Sequence, residues 1–429
     1  MPLNNAAKPA PIAEVPVELP AEINHSAVPS LEVRVARSLA EVEAIREIWT
    51  AWPTHRDSDI DFCLEFTWAR EEVIRPHVIV IYRDGQPKAM LVGRLERTRM
   101  TSRIGYLRLP GVPLRALVFS YGGLLGDSSE ESCNEFIQSI RTALGQSEAS
   151  MARLEYLDVV SPLFERASRA SGFATRDHAI KPGPHSVMDL PSDVEELYRG
   201  FSQGLRAEVR RKKKKLLAEF GDKVEVRSYR QWDEAERVIP SMEEIAKNTY
   251  QRGLGVGFHD TLEMRRRLRF CAQKQWLRIY VLAIDGNPRA FWLGTLSNRV
   301  FVSDYNAYDP KLRDYSVGTF LLAAVAEDFC REGVKAIDFG FGEAEYKERF
   351  ANRTKIESSV CIFAPKPKGL LLNAISTSSS ALDTLTRKVL DRTKLLPRMK
   401  KIWRSRLARQ ASKSEQDATL PQPSENKSK

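Results

Sequence analysis

The sequence predicts an α/β (α+β) protein made of two copies of one module, each a mixed central sheet with helices packed on it. Comparing the chain with itself carries this expectation. VIVIYRDGQPKAMLVG, from Val78, aligns with IYVLAIDGNPRAFWLG, from Ile279. Each is an apolar strand, an Asp-Gly-x-Pro turn and a second apolar strand ending in Gly, which is the pattern of a β-hairpin. Earlier in each half, LEVRVARSLAEVEAIREIW and VEVRSYRQWDEAERVIPSM both read as a strand followed by an acidic amphipathic helix. Later in each half a helix precedes a strand: Glu130 to Leu144 with Leu154 to Val160, and Gly318 to Arg331 with Val334 to Phe339. Two β-α-β-β-α-β modules, about 190 to 200 residues apart, account for all three coincidences. Alternating strands and helices favour a mixed sheet with helices on it.

At 429 residues the chain has room for two full cores. The expected division is a disordered Pro/Ala/Glu-rich leader over 1–30, modules over 31–195 and 196–365, a basic amphipathic extension over 366–411 and a polar disordered tail over 412–429. The leader lacks the basic start and apolar run of a secretory signal. No apolar stretch reaches the roughly 18 residues that span a bilayer. Five widely spaced cysteines, with no CxxC among them, read as reduced core thiols of a cytoplasmic protein. The six histidines have no HxxxH-like spacing, so no metal is expected.

The net charge of +10 is concentrated: from Lys366 to Lys413 there are thirteen Lys or Arg against two Asp. Leu382, Leu385 and Val389, then Leu396, Met399, Trp403 and Leu407, recur at near-helical spacing, with Pro397 between two helices. Such a segment suits an anionic membrane surface at the inner face of the plasma membrane. A solvated extension and a nucleic-acid contact remain open.

Chemistry gathers at VKAIDFGFGEAEYKERFANRT, Val334 to Thr354. An apolar strand runs into a Gly-Phe-Gly turn and a polar segment carrying Glu343, Tyr346, Lys347 and Arg349; strand exits of this kind commonly hold ligands. A second feature is the helix SQGLRAEVRRKKKKL from Ser202, with apolar positions Leu205, Val209, Leu216 and Phe220 and a basic face including Arg206, Arg210 and Lys214. That face suits an anionic acceptor, although charge runs also serve as solvated surface. GLGVGFH, from Gly253, follows a helical pattern and lacks the third glycine spacing, so it is no dinucleotide loop. It reads as an acceptor loop carrying His259.

The element order resembles the GNAT acyltransferase fold. The second copy resembles the BioF2-like or CelD-like acetyltransferases, relatives of the FemAB peptidyltransferases, through the basic helix from Ser202, YDPKLRDYSVGTFLL from Tyr308 and DFGFGEAEYKERFANRT from Asp338. The resemblance implies a thioester donor, acyl-CoA, lying where two parallel strands part (Val300 to Tyr308 and Val334 to Phe339), with its pyrophosphate on the start of the helix from Gly318. A helix start is an anion site in its own right. Arg313, Ser316, Gly318 and Thr319 are the expected cofactor contacts. The usual loop, Q/R-x-x-G-x-G/A, is only half present in Arg313-Asp-Tyr-Ser-Val-Gly318-Thr, and an ordinary helix start capped by Ser316 is the alternative.

Acyl transfer to an amine needs a positioned nucleophile, a stabilised oxyanion and a leaving group that can be protonated. Glu343 or Asp338 is the candidate base or amine-orienting carboxylate. Tyr346 or Tyr305 is the candidate acid, and Lys347 the candidate cation; Asp304 and Asn306 are weaker candidates. Arg206, Arg210, Lys214, Asp338 and His259 are the expected substrate contacts.

The leading expectation is an acyl-CoA-dependent N-acyltransferase acting on an amine-bearing sugar or lipid-linked cell-envelope precursor. An aminoacyl-tRNA-dependent transferase of FemAB type is the alternative, and positive charge suits tRNA. Relatives of that type usually carry a long helical hairpin, of which the sequence gives no sign. The third reading is a non-catalytic, membrane-associated accessory protein of polysaccharide assembly.

Overall fold

The computed structural model describes residues 31–104, 107–108, 110–169, 172–249, 252 and 257–392. The expected leader and tail, and residues 393–411 of the basic extension, lie outside them. Leu31–Ala36 (β1) precedes the short helices Leu39–Ala44 (α1) and Arg46–Thr50 (α2), a 3-10 turn at Arg56–Ser58, and Ile60–Phe62 (α3), which runs into a π-helical turn at Cys63–Thr67. Strands Val73–Pro76 (β2), Val78–Arg83 (β3), Gln86–Met100 (β4), Arg103–Ile104 (β5), Leu107–Arg108 (β6) and Val112–Gly126 (β7) follow. Glu130–Gly145 (α4), Met151–Asp158 (β8), Pro162–Arg169 (α5) and Gly183–Asp189 (β9) complete the first half.

The second half opens with Val194–Gly200 (α6) and the basic helix Gln203–Phe220 (α7), then Val224–Tyr229 (β10), Trp232–Lys247 (α8) and Leu262–Gln273 (α9). Leu277–Ile284 (β11), Asn287–Ser297 (β12) and Val300–Tyr308 (β13) lead through a 3-10 segment, Pro310–Tyr315, to Val317–Glu332 (α10). Ala336–Phe341 (β14), Glu345–Phe350 (α11), Arg353–Phe363 (β15) and Pro367–Arg392 (α12) end the described chain.

Both expected hairpins form. Asp84-Gly85 and Asp285-Gly286 take positive φ at both central residues (51° and 77°, 53° and 74°), the left-handed pair whose twist matches that of the flanking strands. Every residue of Val78–Tyr82 is buried, because helices cover both faces of the sheet. On the first half, α4 and α5 pack on one face with Phe136, Ile140 and Leu163, while α1 and α2 close the other with Val42 and Trp49. On the second half, α6, α7 and α10 pack around Phe329 and Phe301, and α8 and α9 around Met242 and Cys271. Burial on both faces explains why the strands read as continuous apolar runs.

Thirteen strands form one mixed sheet in the order β1-β3-β4-β7-β8-β15-β9-β14-β13-β12-β11-β10, with β2 on β4. Read inward from either end, the two halves have the same strand order, and each holds one parallel pair, β7 with β8 and β13 with β14. The middle is an exchange. β9 follows the first half in sequence but pairs with β14 of the second, and β15 follows the second half but pairs with β8 of the first. β9 and β15 also pair with each other.

The hairpins share a tight point. A Cβ on Gly294 would stand 2.3 Å from the Val302 carbonyl oxygen and 2.4 Å from the Phe301 ring, and one on Gly93 would stand 2.6 Å from Phe119. Gly294→Ala should therefore destabilise the protein by about 1–3 kcal/mol, as overpacking does. Gly204→Ala, where nothing lies within 4 Å, should be neutral or stabilise by about 0.5 kcal/mol. Urea denaturation of both variants measures the difference, and equal midpoints would contradict the packing described.

Candidate functional site

The parallel pairing of β13 with β14 lasts three residue pairs, Val300 with Ala336 to Val302 with Asp338, and then the strands part. Beyond the parting β13 runs on through Ser303–Tyr308 and β14 through Phe339–Phe341, leaving main-chain groups on facing edges. A cavity of about 300 Å³ opens there, lined among others by Asp304, Tyr305, Asn306, Phe339, Tyr346 and Lys347. α11 forms one wall. The Tyr346 hydroxyl accepts a hydrogen bond from Asn306 Nδ2 (3.2 Å), and its ring stands edge-on to Phe339. Lys347 Nζ donates to the Gly340 and Phe341 carbonyls (3.2 and 3.1 Å). An ammonium has three N–H donors, so a third remains for a group in the cavity. Burial lowers the Lys347 pKa, and the nearby Asp338 charge opposes this.

The start of α10 lies next to β13 in the chain. Ser316 adopts the left-handed conformation (φ 52°, ψ 46°) and makes no side-chain cap, so the expected Ser316 cap does not form. The first turn of α10 contains no acidic residue. Lys212 and Lys215 of α7 reach the loop just before it, where both ammonium groups bond the Asp314 carbonyl (3.2 and 3.4 Å). An uncapped helix start beside two lysines is suited to a phosphate. The matching helix of the first half is the opposite case. Ser129 caps α4, Glu130 and Glu131 lie in its first turn, and Asp127, held by the Ser129 and Ser132 hydroxyls, has its pKa lowered to about 2.

A second cavity, about 420 Å³, lies between the halves and shares Tyr305 with the first. Ser120, Tyr121 and Glu155 line it where β7 and β8 part, and Glu263 and Arg267 face them from α9. Arg56 ties its walls together: Nη1 bonds both Asp304 oxygens (2.7 and 2.8 Å) and Thr295 Oγ1, and Nε bonds Asp57 (3.0 Å). Burial opposes the Tyr305 charge and raises its pKa, so the phenol keeps its proton.

Behind the cavity wall lies a buried ionic triad. His185 of β9 sits between Asp338 of β14 (Nε2 to Oδ1, 2.6 Å) and Glu357 of β15 (Nδ1 to Oε2, 2.7 Å). Burial disfavours the imidazolium, but the two carboxylates outweigh it and raise the His185 pKa to about 9. Burial pushes the Asp338 carboxyl up, and the hydrogen bond and charge of His185 more than reverse this.

The structure gathers Tyr346, Lys347 and Tyr305 at the cavity, along with the weaker candidates Asp304 and Asn306. Gly318 and Thr319 stand in the first turn of α10, where the Tyr308 ring approaches Gly318 (3.4 Å from the position of a Cβ). The other expected residues stand outside this lining. Glu343, the expected base, is exposed and outside the cavity lining. Asp338, expected to touch substrate, is buried with His185 because a carboxylate there needs a cation. Arg313 is exposed on the 3-10 segment, and His259 is exposed beside the lining residues Gly257 and Phe258. On α7, Lys212 and Lys215 reach the α10 start, while Arg210 and Lys214 are exposed and Arg206 is half-buried. His185, Glu357, Arg56 and Tyr121 were not foreseen. For His185 and Glu357 the hint was a charged or polar side chain inside a strand pattern, in GPHSVMD and RTKIESSVCIF.

In α12, Leu372 and Asn373 are buried and Leu371, Leu382 and Leu385 are exposed. No helix among the described residues is long and apolar enough to cross a membrane.

Residues 203–348 match the sequence family described as acetyltransferase (GNAT) domain. Among solved structures the chain is similar to FemX (11% identity, 70% of this chain and 90% of FemX covered, TM-score 0.50). It is also similar to a DUF2156 C-terminal domain from Agrobacterium fabrum assigned to a lysylphosphatidylglycerol synthetase (11%, 71% and 88%, TM-score 0.44). A third likeness is to a tandem GNAT protein from the clavulanic acid biosynthesis pathway (10%, 79% and 99%, TM-score 0.44). No curated protein matches the sequence. Residues 203–348 are thus similar in sequence to the GNAT acetyltransferase domain family, and the fold is similar to that of FemX.

The triad sets a pH dependence of stability. A histidine whose folded pKa is about 9, against 6.5 for the free side chain, contributes stability that is complete below about pH 6.5 and lost as pH rises through about 9. Urea midpoints should fall across that window, and fall less in Glu357→Gln. A flat profile in the wild type would remove the imidazolium assignment.

Proposed function

We propose that the protein transfers an aminoacyl group from aminoacyl-tRNA to the amine of a sugar or lipid-linked cell-envelope precursor, a reaction of FemAB type. In this reading each half is a GNAT-like module, and the second is the catalytic one. The observation that carries it is the run of positive charge beginning at the uncapped start of α10. Lys212 and Lys215 stand there, and Arg206, Arg210, Arg211, Lys213 and Lys214 extend the charge along α7, whose 18 residues span about 27 Å. A pyrophosphate uses only the end of such a surface, whereas a tRNA backbone presents phosphates along all of it. Similarity to FemX over 90% of that chain supports the fold this reading requires.

The aminoacyl ester enters the cavity between β13 and β14, and the acceptor amine approaches from the inter-module cleft past Tyr305. The amine nitrogen attacks the ester carbonyl carbon, giving a tetrahedral oxyanion. Collapse breaks the bond to the ribose oxygen, which leaves with a proton as the amide forms. Lys347, with a donor facing the cavity, stabilises the oxyanion, and an ammonium with a burial-lowered pKa gives up a proton more readily. Tyr346 or Tyr305 protonates the leaving oxygen and takes in return the proton that the amine nitrogen loses, so that the phenol is restored at the end of the step.

The second reading is acyl-CoA as donor, with the same acceptors. It is favoured by the acetyltransferase match over 203–348 and by the direct passage from α7 through a 3-10 turn into β10, which leaves no room there for a long helical hairpin.

Charged tRNA and a panel of acyl-CoAs, each supplied with nucleotide amino sugars and lipid-linked precursors, separate the donors. Turnover with aminoacyl-tRNA is expected, with kcat lowered about 100-fold or more in Lys347→Ala. The Lys212→Glu, Lys215→Glu double variant should weaken tRNA binding and flatten its salt dependence. CoA release without tRNA binding would establish the second reading, and full activity in Lys347→Ala would remove the site assignment under either.

A further inference from the structure

His185, Asp338 and Glu357 are each less than a tenth exposed, yet the transfer chemistry uses none of them directly. They meet because of the strand exchange: β9 brings His185 from the end of the first half, β14 brings Asp338 from the second, and β15 brings Glu357. A buried triad of this kind contributes little net stability compared with apolar packing, so its consequence is sought in what it holds.

Asp338 Oδ1 accepts from His185 Nε2 (2.6 Å) and from the Gly340 N–H (2.7 Å). The second bond closes the bulge at Asp338–Gly340, where the register of β14 against β9 slips by one residue. Gly340 takes φ 75° there, open to glycine and strained for other residues. The bulge sets the Gly340 and Phe341 carbonyls, and those carbonyls seat the Lys347 ammonium. We propose that His185 is a positioning residue for the site: paired with Asp338 and Glu357, it fixes the bulge whose carbonyls hold Lys347 at the cavity wall.

This rests on reading Lys347 as the cation that stabilises the oxyanion. The charge arrangement gives the inference its direction. Asp338 acts electrostatically on Lys347, and the imidazolium neutralises that carboxylate. Without it, Lys347 becomes the compensating cation for Asp338 and is drawn away from the cavity. The other titratable groups around the ring are Tyr121 of β7, stacked on it at 5.6 Å and 19° and kept protonated by burial, and His55, which packs edge-on to Tyr121. Burial keeps His55 neutral, and Asp57, beside it, is ionised with its pKa lowered to about 2. His55 therefore supplies no second cation, and Arg353 of β15, which acts electrostatically on Asp338, is held by the Asp189 carboxylate (2.7 and 2.8 Å).

The test uses the full chain. In wild-type protein at pH 7.5, imidazole ¹⁵N shifts, assigned by loss of the signal in His185→Gln, should show both ring nitrogens protonated. In His185→Gln, ¹³Cε lysine spectra should show the Lys347 pKa raised by about one unit, and kcat at pH 7.5 should fall about tenfold with donor KM unchanged. Glu357→Gln keeps the Asp338 contact. It should hold kcat within a few-fold at pH 7 and move the alkaline limb of the kcat profile about one unit lower, because His185 loses one stabilising charge.

A neutral His185 at pH 7.5 would overturn the proposal, as would an unchanged Lys347 titration in folded His185→Gln. Should His185→Gln fail to fold, the wild-type signal is assigned instead by its displaced titration in Glu357→Gln, and a neutral imidazole there at pH 7.5 in the wild type still overturns the proposal. Loss of turnover with every donor would refute the transferase reading but leave both spectroscopic outcomes standing.

Discussion

Everything at the candidate site depends on the hydrogen bonding between β9 and β15 in the middle of the sheet. Each strand follows one half in sequence and pairs with the last strand of the other. Exchange of this kind turns two repeated units into one continuous hydrogen-bonded surface, because unpaired main-chain groups buried at a strand edge are costly. Neither half can be removed without exposing strand edges in the other. The arrangement also fixes the distance between the two partings of parallel strands, so the two cavities meet at Tyr305.

Charge is buried along this seam and must be paired. Arg56 comes from the first half and Asp304 from the second, and Thr295 and Asp57 complete the guanidinium's contacts. His185 with its two carboxylates forms the second such knot. Breaking a buried pair leaves an uncompensated ion, with a penalty of about 3–5 kcal/mol, so the seam tolerates few relative placements of the halves. Cavities lined from both halves keep their shape only under that constraint.

The repeat is symmetric in backbone and asymmetric in chemistry. α10 begins uncapped, with no acidic residue in its first turn and with lysines nearby, whereas the start of α4 is capped and acidic. An anion is therefore favoured at one helix start and repelled at the other. The strand parting in the first half, beside the acidic helix start, forms a wall of the cavity between the halves.

How far the sequence reached depended on the range of the interactions involved. Two-residue Asp-Gly turns, apolar strand runs and helix periodicity are local, so the hairpins at Val78 and Ile279 and the helices at Glu130 and Gly318 were legible, and repetition confirmed them. Tyr346 and Lys347 were legible because they follow a strand exit within a few residues. Other features were decided only by tertiary structure. Strand exchange leaves no mark in local pattern, since β9 and β15 present the same alternation whichever neighbour they join. His185 and Glu357 lie 172 residues apart, and nothing at that separation reveals that one will charge the other. Likewise Asp338, within a strand pattern, read as a candidate base or substrate contact, and β9 places an imidazole against it that makes it a paired, buried anion. The sequence by itself determined which segments become strands and helices and that Tyr346 and Lys347 follow a strand exit; only folding decided which charges neutralise one another, because electrostatic pairing depends on distance in space.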